Sequence, residues 1–351
     1  MSGRHRVALA GLIAAAAAPL AAQQPVVAEQ VSGAPRALLQ AVSAVTPQTA
    51  WVSGHSGAVL RTIDGGDHWQ LLPIAGAEKL EFRAIQAVSA NEAWVMSAGN
   101  GDASRIYHTR DGGAHWTQQF SNADSAAFYD CLTFFDAKHG VAFSDAAHSQ
   151  TTMLRTEDGG AHWALLPPTS VPAAVAGEGA FSASGGCIVH VDAKRGWVAT
   201  GSPAARIFGT ADAGKTWQLL AGSTPVVHAA NAGWTGISFV DAKHGIGVAA
   251  NIAGNYNRDT SSAAVAITTD GGKSWSLRHR PELPGALFGV IAVPRAGRDV
   301  ALAAAMGGLM LTTDNGDHWT PIAKASYWSV GAAGKRAWAV GPGGRITRID
   351  F

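Results

Sequence analysis

Six aspartates recur along the chain in nearly identical settings, and four of them are followed by a histidine four residues later. Carboxylate and imidazole groups are the side chains that most often carry acid–base chemistry or bind metal ions. Each aspartate lies in a string of the form Thr-x-Asp-x-Gly-x-x-Trp, as in TRDGGAHW, which begins at Thr109. The six are Asp64, Asp111, Asp158, Asp212, Asp270 and Asp314. The string is therefore either six reactive sites or one structural unit used six times.

The spacing of the strings favours the structural unit. Their threonines recur at intervals of 44 to 58 residues, and a period of that size is typical of stacked or radially arranged supersecondary units. Between strings, apolar and polar residues alternate with a period of two, as in RAIQAVSA at 83–90, and Gly, Asp and Asn turns interrupt the alternation. This pattern predicts four short antiparallel strands per unit. No segment has sustained helical periodicity.

The end of the chain supplies a seventh unit. The stretch 338–351 aligns without a gap on 51–64 and ends where the string would stand. This unit, at 326–351, has three strands, and we expect the extended stretch PVVAEQV at 25–31 to supply the fourth. Such a pairing closes the array into a ring without an exposed edge. The sequence thus predicts an all-β, seven-bladed β-propeller over residues 23–351.

In such a blade the string forms the hairpin between the third and fourth strands. The Asp carboxylate is expected to accept hydrogen bonds from N–H groups of the turn. The Gly adopts a backbone conformation closed to other residues, and the Trp folds beneath the turn. We therefore interpret the six aspartates and the neighbouring histidines as scaffold. A calcium or sugar site at each turn is the alternative.

Composition argues against several classes of function. The formal net charge is +1 over 351 residues, without the basic surplus that nucleic-acid-binding proteins normally carry. Apolar residues make up 47% and charged residues 15% of the chain, which suits a large buried core rather than disorder. The chain contains no H-E-x-x-H, P-loop or G-x-S-x-G string. We expect no cofactor and no metal site.

Residues 1–22 have the layout of a secretory signal peptide. A positively charged start and a short apolar run at 7–20 precede a small-residue cleavage site at Leu20-Ala21-Ala22. The apolar run is too short to span a membrane. We expect a periplasmic or secreted protein without a transmembrane segment.

The chain has two cysteines, Cys131 and Cys187. They occupy equivalent positions in the first strands of the third and fourth units, so we expect them to face each other near the axis. A disulfide suits an oxidising compartment, whereas its narrow geometric window leaves a pair of buried thiols equally compatible.

Few residues remain for function once the repeat is accounted for. Ten of the twelve tryptophans fall in the strings or open second strands, whereas Trp234 and Trp328 lie on first strands, which line the central channel of a propeller. Counting back from the second strand places Trp328 in register with Ala84, and Arg83 in register with Asp130. A binding site at the channel mouth would draw on Arg83, Tyr129, Asp130, Trp234 and Trp328. Alternatively, the tryptophans plug the channel and Arg83 pairs with Asp130.

Two insertions, 167–186 and 250–262, interrupt the regular spacing. Long loops on a rigid scaffold are where binding usually resides. The residues that these insertions offer are Glu178, Phe181, Tyr256 and Arg258. Plain solvated loops are the alternative.

The repeated string is similar to the Asp-box, also called the bacterial neuraminidase repeat. With seven units of about 47 residues, the chain resembles, over residues 25–351, the propellers related to photosystem II assembly factors of the Ycf48/Hcf136 type. The segment GEGAFSASGGC at 177–187 resembles an exported bacterial branch of that family. The resemblance implies a monomeric, non-catalytic propeller that binds a protein or peptide partner in the cell envelope.

The Asp-box also occurs in sialidases, so a glycoside hydrolase is the alternative function. Such an enzyme needs three arginines that clamp a carboxylate, a Tyr nucleophile and a Glu partner. The segment FRAI at 82–85 retains the Arg of the family's Phe-Arg-Ile-Pro motif, as Arg83, but lacks the Pro. Glu178 with Tyr256, or alternatively with Tyr129, would be the catalytic pair, and their separation would decide the mechanism.

Overall fold

The computed structural model describes residues 24–30, 33–181, 184–222, 224–226, 232–252 and 264–351. The predicted signal peptide, Tyr256 and Arg258 lie outside the described residues. No helix within those ranges is long and apolar enough to cross a membrane.

Seven four-stranded antiparallel sheets, the blades, make up the described fold. The strands of blades 1 to 3 are β2 (Leu39–Ala44), β3 (Ala50–Gly54), β4 (Val59–Thr62), β5 (Gln70–Leu71), β6 (Phe82–Ala87), β7 (Ala93–Ser97), β8 (Arg105–Thr109), β9 (Thr117–Ser121), β10 (Tyr129–Phe134), β11 (Gly140–Ala147), β12 (Gln150–Thr156) and β13 (Ala164–Leu165). Those of blades 4 and 5 are β14 (Ile188–His190), β15 (Gly196–Ala199), β16 (Ile207–Thr210), β17 (Gln218–Ala221), β18 (Ala232–Phe239), β19 (Gly245–Asn251), β20 (Ala264–Thr268) and β21 (Ser276–Arg278). Blade 6 comprises β22 (Leu287–Ala292), β23 (Ala301–Ala305), β24 (Gly308–Thr312) and β25 (Thr320–Ala323).

Blade 7 is built from both ends of the chain. Its strands are β26 (Ser329–Ala333), β27 (Arg336–Gly341), β28 (Arg345–Asp350) and β1 (Val26–Gln30). β1 pairs antiparallel with β28, from Val26 opposite Asp350 to Gln30 opposite Ile346. The seven-bladed fold and its closure by the N-terminal strand are therefore confirmed. Without β1 the last blade would present an open edge.

The core is divided among the interfaces between neighbouring blades. Each of the seven interfaces, including that between blades 7 and 1, holds its own cluster of buried apolar side chains among the described residues. The four tryptophans that open second strands join these clusters, and three of them, Trp51, Trp94 and Trp197, also bond across the interface. The indole N–H of Trp94 in blade 2, for example, donates to the Gly159 carbonyl of blade 3 at 3.0 Å. A blade is therefore stabilised by its neighbours rather than by a core of its own.

The six Asp-boxes are closed by hydrogen bonds within each turn. In blade 1 the Thr62 hydroxyl donates to Asp64 Oδ1 at 2.9 Å and accepts the Gly66 N–H at 2.8 Å. Asp64 Oδ1 also accepts the His68 N–H at 3.0 Å, and His68 Nδ1 lies 2.7 Å from Oδ2. Gly66 has a φ of +94°, which disfavours any side chain there. The equivalent bonds recur in the other five boxes, so the aspartates are braces within separate turns.

This bracing gives the box aspartates a distinctive dependence of stability on pH. Bonds from the backbone N–H and the side chain of His68 lower the pKa of Asp64 to about 2. A carboxyl with a depressed native pKa stabilises the fold above its unfolded pKa, and this contribution disappears as the pH falls towards the native pKa. We expect Asp64→Asn to lower the free energy of unfolding at pH 7, and the difference from wild type to shrink as the pH is lowered from about 5 to about 2. Chemical unfolding across that range measures it.

Asp102→Asn is the matched control, because the Asp102 side chain is 81% exposed and lies outside the boxes. An equal loss of stability in both variants, or a loss in Asp64→Asn that persists unchanged in acid, would show that the Asp64 carboxylate does not brace the turn.

Candidate functional site

Near its start, the first strand of a blade carries one extra residue. In five blades the pairing with the second strand skips one position, for example between Phe82 and Ala84. The skipped residues are Gln40, Arg83, Asp130, Thr235 and Phe288. Such bulges re-aim a side chain and are common beside functional sites.

Blade 7 has the same feature at Trp328. The Trp328 N–H donates to the Val340 carbonyl at 2.7 Å, and Ser329 then pairs with Val340. Trp328 therefore shares the register of Arg83, and its predicted alignment with Ala84 was wrong by one residue. We call the six residues Gln40, Arg83, Asp130, Thr235, Phe288 and Trp328 the bulge ring. Because first strands begin at the face opposite the Asp-boxes, the bulge ring surrounds that end of the channel.

The residue after each of these six bulges is small, and Cys187, directly before Ile188, occupies the same register in blade 4. These residues are Ala41, Ala84, Cys131, Cys187, Gly236, Gly289 and Ser329. First strands of adjacent blades lie close together here, since a Cβ on Gly236 would stand only 3.4 Å from the Gly289 Cα. Cys131 and Cys187 are joined by a disulfide, with Cα atoms 6.1 Å apart.

The residue before each bulge is bulky and buried between blades. Tyr129 and Trp234 occupy this register and are 3% and 0% exposed. Trp234 packs on Trp275, with ring centroids 4.8 Å apart, and burial raises the pKa of Tyr129. Neither side chain reaches the channel mouth, so the prediction that both contribute to a site there was wrong. Side chains alternate along a strand, and these two point into the core.

The channel mouth is crossed by the end of the first insertion rather than by a tryptophan. The Ser184 hydroxyl donates to the Thr235 carbonyl at 3.2 Å, and the Ser184 carbonyl accepts the Ser329 hydroxyl at 2.9 Å. Gly185, at a φ of +70°, lies against the backbone of Arg83 and the methyl group of Ala41. The segment thus contacts the first strands of blades 1, 2, 5 and 7, which places it on the axis.

The bulge ring is apolar over blades 6 and 7. Phe288 and Trp328 are stacked, with centroids 4.0 Å apart and planes 11° from parallel. Phe181 of the first insertion, Ile252 and Met306 pack with them and are partly exposed. We call Phe181, Ile252, Phe288, Met306 and Trp328 the apolar sector. Partly exposed aromatic and Met side chains of this kind suit contact with an apolar side chain of a ligand.

The bulge ring is polar over blades 1 and 2. Gln40 Oε1 lies 2.8 Å from His55 Nε2, and Arg83 donates two bonds to Glu81 Oε2, of 3.1 Å from Nε and 2.5 Å from Nη2. Burial, with a contribution from the Arg83 charge, lowers the pKa of His55 against the opposing effect of Glu81. The salt bridge of Arg83 is thus with Glu81, two residues away, and not with Asp130 as the alternative interpretation predicted.

Asp130 instead lies near Asp145, at the end of β11. Asp130 is 1% exposed, and its Oδ2 is buried without a hydrogen-bond partner among the described residues. Asp145 Oδ1 accepts the Ala180 N–H at 3.1 Å. Burial, followed by repulsion from Asp145, raises the pKa of Asp130 well above its usual range, while the Arg83 charge opposes the rise.

Glu178 of the first insertion is held in a buried ion pair. Arg206 donates from Nε to Glu178 Oε1 at 2.7 Å and from Nη2 to Oε2, and the Thr200 hydroxyl donates to Oε1 at 2.9 Å. The Glu178 side chain is 2% exposed. Both carboxylate oxygens are thus occupied, and the geometry does not suit a general acid that must reach a substrate.

Sequence reasoning missed His55, Glu81, Asp145, Phe288 and Met306. The sequence did contain one indication of the bulges. The bulged residue is the middle one of a recurring triplet that consists of a bulky residue, any residue and a small residue, as in FRA at 82–84 and YWS at 327–329. Within the described part of the chain, no group of three His, Cys, Asp or Glu side chains is placed to hold a metal ion.

Comparison with known families gives two matches. The family described as "Photosynthesis system II assembly factor YCF48" matches residues 26–123, and the BNR/Asp-box repeat matches residues 266–277. No curated protein sequence matches the chain.

Solved structures similar to this chain differ in what they do. YCF48 bound to a D1 peptide is 15% identical, with a TM-score of 0.65 over 95% of this chain and 98% of that one. The GH74 xyloglucanase from Xanthomonas campestris is 16% identical, with a TM-score of 0.65 over 92% of this chain and 53% of that one. Virginiamycin B lyase from Staphylococcus aureus is 14% identical, with a TM-score of 0.66 over 93% of this chain and 100% of that one. At these identities the likeness shows the fold alone.

The buried ion pair yields a test of what Glu178 does. Replacing it by Gln leaves the Arg206 charge buried without a counter-charge, and breaking a buried pair in this way costs about 3–5 kcal/mol. We expect Glu178→Gln to lower the free energy of unfolding by an amount in that range, measured by chemical denaturation. Glu282→Gln, at an exposed position, should change it by less than about 0.5 kcal/mol. A Glu178→Gln protein as stable as wild type would return Glu178 to consideration as a reactive group.

Proposed function

Because the chain is a Ycf48-like Asp-box propeller, we propose that it is an exported, non-catalytic scaffold that binds a protein or peptide at the bulge ring. The observation that carries this proposal is the chemistry of the channel mouth: Trp328 stacked on the buried Phe288 on one side, and Arg83 paired with the neighbouring Glu81 on the other. Tryptophan, tyrosine and arginine are the residue types most enriched in binding hot spots. YCF48 has been solved with a bound D1 peptide, which supports a peptide as the class of ligand.

The rigid closed ring suits a binding role. The bulge ring stands on strands that are packed on both sides, so its backbone needs little ordering when a ligand arrives, and a pre-organised site loses less free energy on binding. Its two sectors differ in chemistry, so a peptide would be read by an apolar anchor over blades 6 and 7 and by hydrogen bonds over blades 1 and 2.

The sialidase-like alternative gains no support from Glu178, whose carboxylate is bound to Arg206. Tyr256, its suggested partner, lies outside the described residues. The likeness to a xyloglucanase covers about half of that enzyme's chain, and it concerns the scaffold.

The proposed ligand site can be tested in two steps. The wild-type protein is used to capture partners from the cell-envelope fraction, and peptides tiling the recovered partner are then titrated by fluorescence anisotropy. We expect Trp328→Ala and Arg83→Ala each to weaken the best peptide at least tenfold, or about 1.4 kcal/mol, because both side chains reach the ring surface. The melting temperature should change little, since both are partly exposed.

Trp319→Ala is the matched control, because this partly exposed tryptophan belongs to an Asp-box on the opposite face. Unchanged peptide affinity in both ring variants, or an equal loss in Trp319→Ala, would remove the bulge ring as the ligand site.

We further propose export, on the basis of the sequence of residues 1–22. Mass spectrometry of the protein from the producing cell should find a mature N-terminus at Gln23 in the extracytoplasmic fraction. Replacing the apolar run by a polar one of equal length should retain the protein, uncleaved, in the cytoplasm. A cytoplasmic wild-type protein that still begins at residue 1 or 2 would contradict export.

A further inference from the structure

The end of the first insertion lies in the channel mouth and contacts the first strands of five blades. We call residues 184–186, with the sequence Ser-Gly-Gly, the axial segment. The first-strand residues that it bonds or lies against are Ala41, Arg83, Thr235, Ile237, Gly289 and Ser329. These residues belong to blades 1, 2, 5, 6 and 7. First strands of so many blades come together only near the axis, so the segment lies there.

The disulfide links the axial segment to the remaining two blades. Cys187 directly follows the segment and precedes β14 of blade 4, and its sulfur is bonded to Cys131 in the first strand of blade 3. β14 has 3 residues, whereas the other six first strands have 5 to 8. Such a short strand supplies few backbone hydrogen bonds to hold the chain that precedes it. The disulfide is therefore the main attachment of the segment at this end.

The residues of the axial segment contribute little to holding it in place. Serine and glycine bury little apolar surface, so the hydrophobic effect adds little to the stability of the seated segment. Glycine also loses more conformational freedom than any other residue when it is ordered. Hydrogen bonds such as that from the Ile237 N–H to the Gly186 carbonyl, at 3.0 Å, are replaced by bonds to water when the segment leaves, so the net gain from each is small. A covalent bond at the next residue can therefore decide whether the segment stays seated.

We propose that the Cys131–Cys187 disulfide is a redox latch: the oxidised form holds the axial segment in the channel mouth, and reduction releases it. Reduction by a dithiol is a thiol–disulfide exchange. A thiolate of the reductant attacks one sulfur and forms a mixed disulfide, and the other cysteine leaves as a thiolate. The second thiol of the reductant then closes its own disulfide and frees the remaining cysteine. The reductant loses two electrons and two protons, and the two cysteines gain them as thiols.

Burial couples the latch to the movement of the segment. Both cysteines are 0% exposed, so a reductant reaches their sulfur atoms only while the axial segment is lifted. An oxidising compartment, which favours disulfides, keeps the segment seated, and a reducing one leaves it released.

Hydrogen exchange of the full-length protein tests the release without any partner, so its result is independent of the proposed function. The reporter is the Ile237 amide, which is bonded to the axial segment and is followed by mass spectrometry at single-residue resolution. We expect its protection to fall about tenfold or more when the protein is reduced with dithiothreitol, and to return on reoxidation with glutathione disulfide. The Ala87 amide, bonded to Ser43 Oγ of the neighbouring blade at 2.9 Å, is the internal control and should stay protected.

Cys131→Ala provides the same test without a reductant. Alanine stands at the equivalent position of blades 1 and 2, as Ala41 and Ala84, so the substitution suits this register. We expect the Ile237 amide of this variant to exchange as in reduced wild-type protein, with or without dithiothreitol.

The rate of reduction tests the coupling with the disulfide intact. Ser329→Ala removes the hydroxyl that donates to the Ser184 carbonyl, so the segment should lift more often. We expect dithiothreitol to reduce this variant about threefold to tenfold faster than wild type, measured by alkylation of the new thiols and mass spectrometry. Ser53→Ala is the matched control, because its buried hydroxyl also donates to a carbonyl of the neighbouring blade, that of Phe82 at 3.0 Å, in a bond that does not involve the axial segment.

Four results would each overturn the proposal. The first is an Ile237 amide that is equally protected in oxidised, reduced and Cys131→Ala protein. The second is a simultaneous loss of protection at Ala87, which would show general unfolding instead of release. The third is a disulfide that resists dithiothreitol until the whole protein unfolds, and the fourth is a rate of reduction that Ser329→Ala leaves unchanged or that Ser53→Ala raises equally.

Discussion

The packing of each blade against its two neighbours is the interaction on which the rest of the structure depends. A four-stranded blade exposes two apolar faces and cannot be stable alone, because a small sheet needs a partner for its hydrophobic surface. The seven interfacial clusters cover both apolar faces of every blade only if the circle of blades is complete. The antiparallel pairing of β1 with β28 completes it and joins the two ends of the described chain. The Asp-boxes stabilise the propeller by fixing the outer hairpins of six blades. This explains why their carboxylates are bonded within their own turns.

Ring closure also determines which positions on the first strands can hold different types of side chain. Seven first strands converge near the axis, and at their closest register small side chains alone fit, such as Gly236 and Gly289. The bulge one residue earlier releases the chain from this crowding and turns a side chain towards the mouth. The residues before and after the bulge are thus restricted to bulky and to small types, whereas the bulged position varies in type: it is partly exposed at Arg83 and Trp328 and buried at the other four bulges. This accounts for a ring position that holds residues as different as Arg83, Thr235 and Trp328 on equivalent strands.

The first insertion is as much a part of this arrangement as the blades. It is anchored by the Glu178–Arg206 pair and by the Asp145 bond to Ala180, and it reaches the axis at Ser184. The disulfide of Cys187 to Cys131 fixes its far end to blade 3. Because the insertion is held at these three points, Phe181 packs with the other residues of the apolar sector and has little freedom to move. The insertion therefore contributes to the proposed site by its position, which favours the binding interpretation of this insertion over that of a plain solvated loop.

The fold could be read from the sequence because its determinants are local and repeated. The Asp-box bonds connect residues no more than four apart, and the gapless alignment of 338–351 on 51–64 predicted the closure. The site was predicted less well, for reasons that are also physical. A bulge adds a residue without changing the composition of a strand, so counting back from the second strand misplaced Trp328 by one.

Tyr129 and Trp234 were assigned to the mouth because first strands line a channel, yet alternation along the strand turns both into the core. The sequence also did not predict which side chains contact Arg83 and Asp130. Arg83 selects Glu81, its neighbour on the same chain segment, whereas the Asp145 carboxyl group near Asp130 comes from the end of β11, outside the repeated pattern. Such choices depend on distances across the blade that no spacing rule specifies.

The surroundings of the carboxylates support the proposed binding role over a hydrolase more directly than likeness of fold does. Glycoside hydrolysis needs two carboxyl groups that reach the substrate, one of them free to exchange a proton with it. Of the carboxylates named at this end of the propeller, Glu178 is bound to Arg206, Glu81 is bound to Arg83, and Asp130 is only 1% exposed. What this end presents outward is instead the partly exposed Trp328, stacked on the buried Phe288, beside an arginine–glutamate pair. Such a surface gains free energy by excluding water from apolar contacts and by orienting polar ones, which is the physics of recognition.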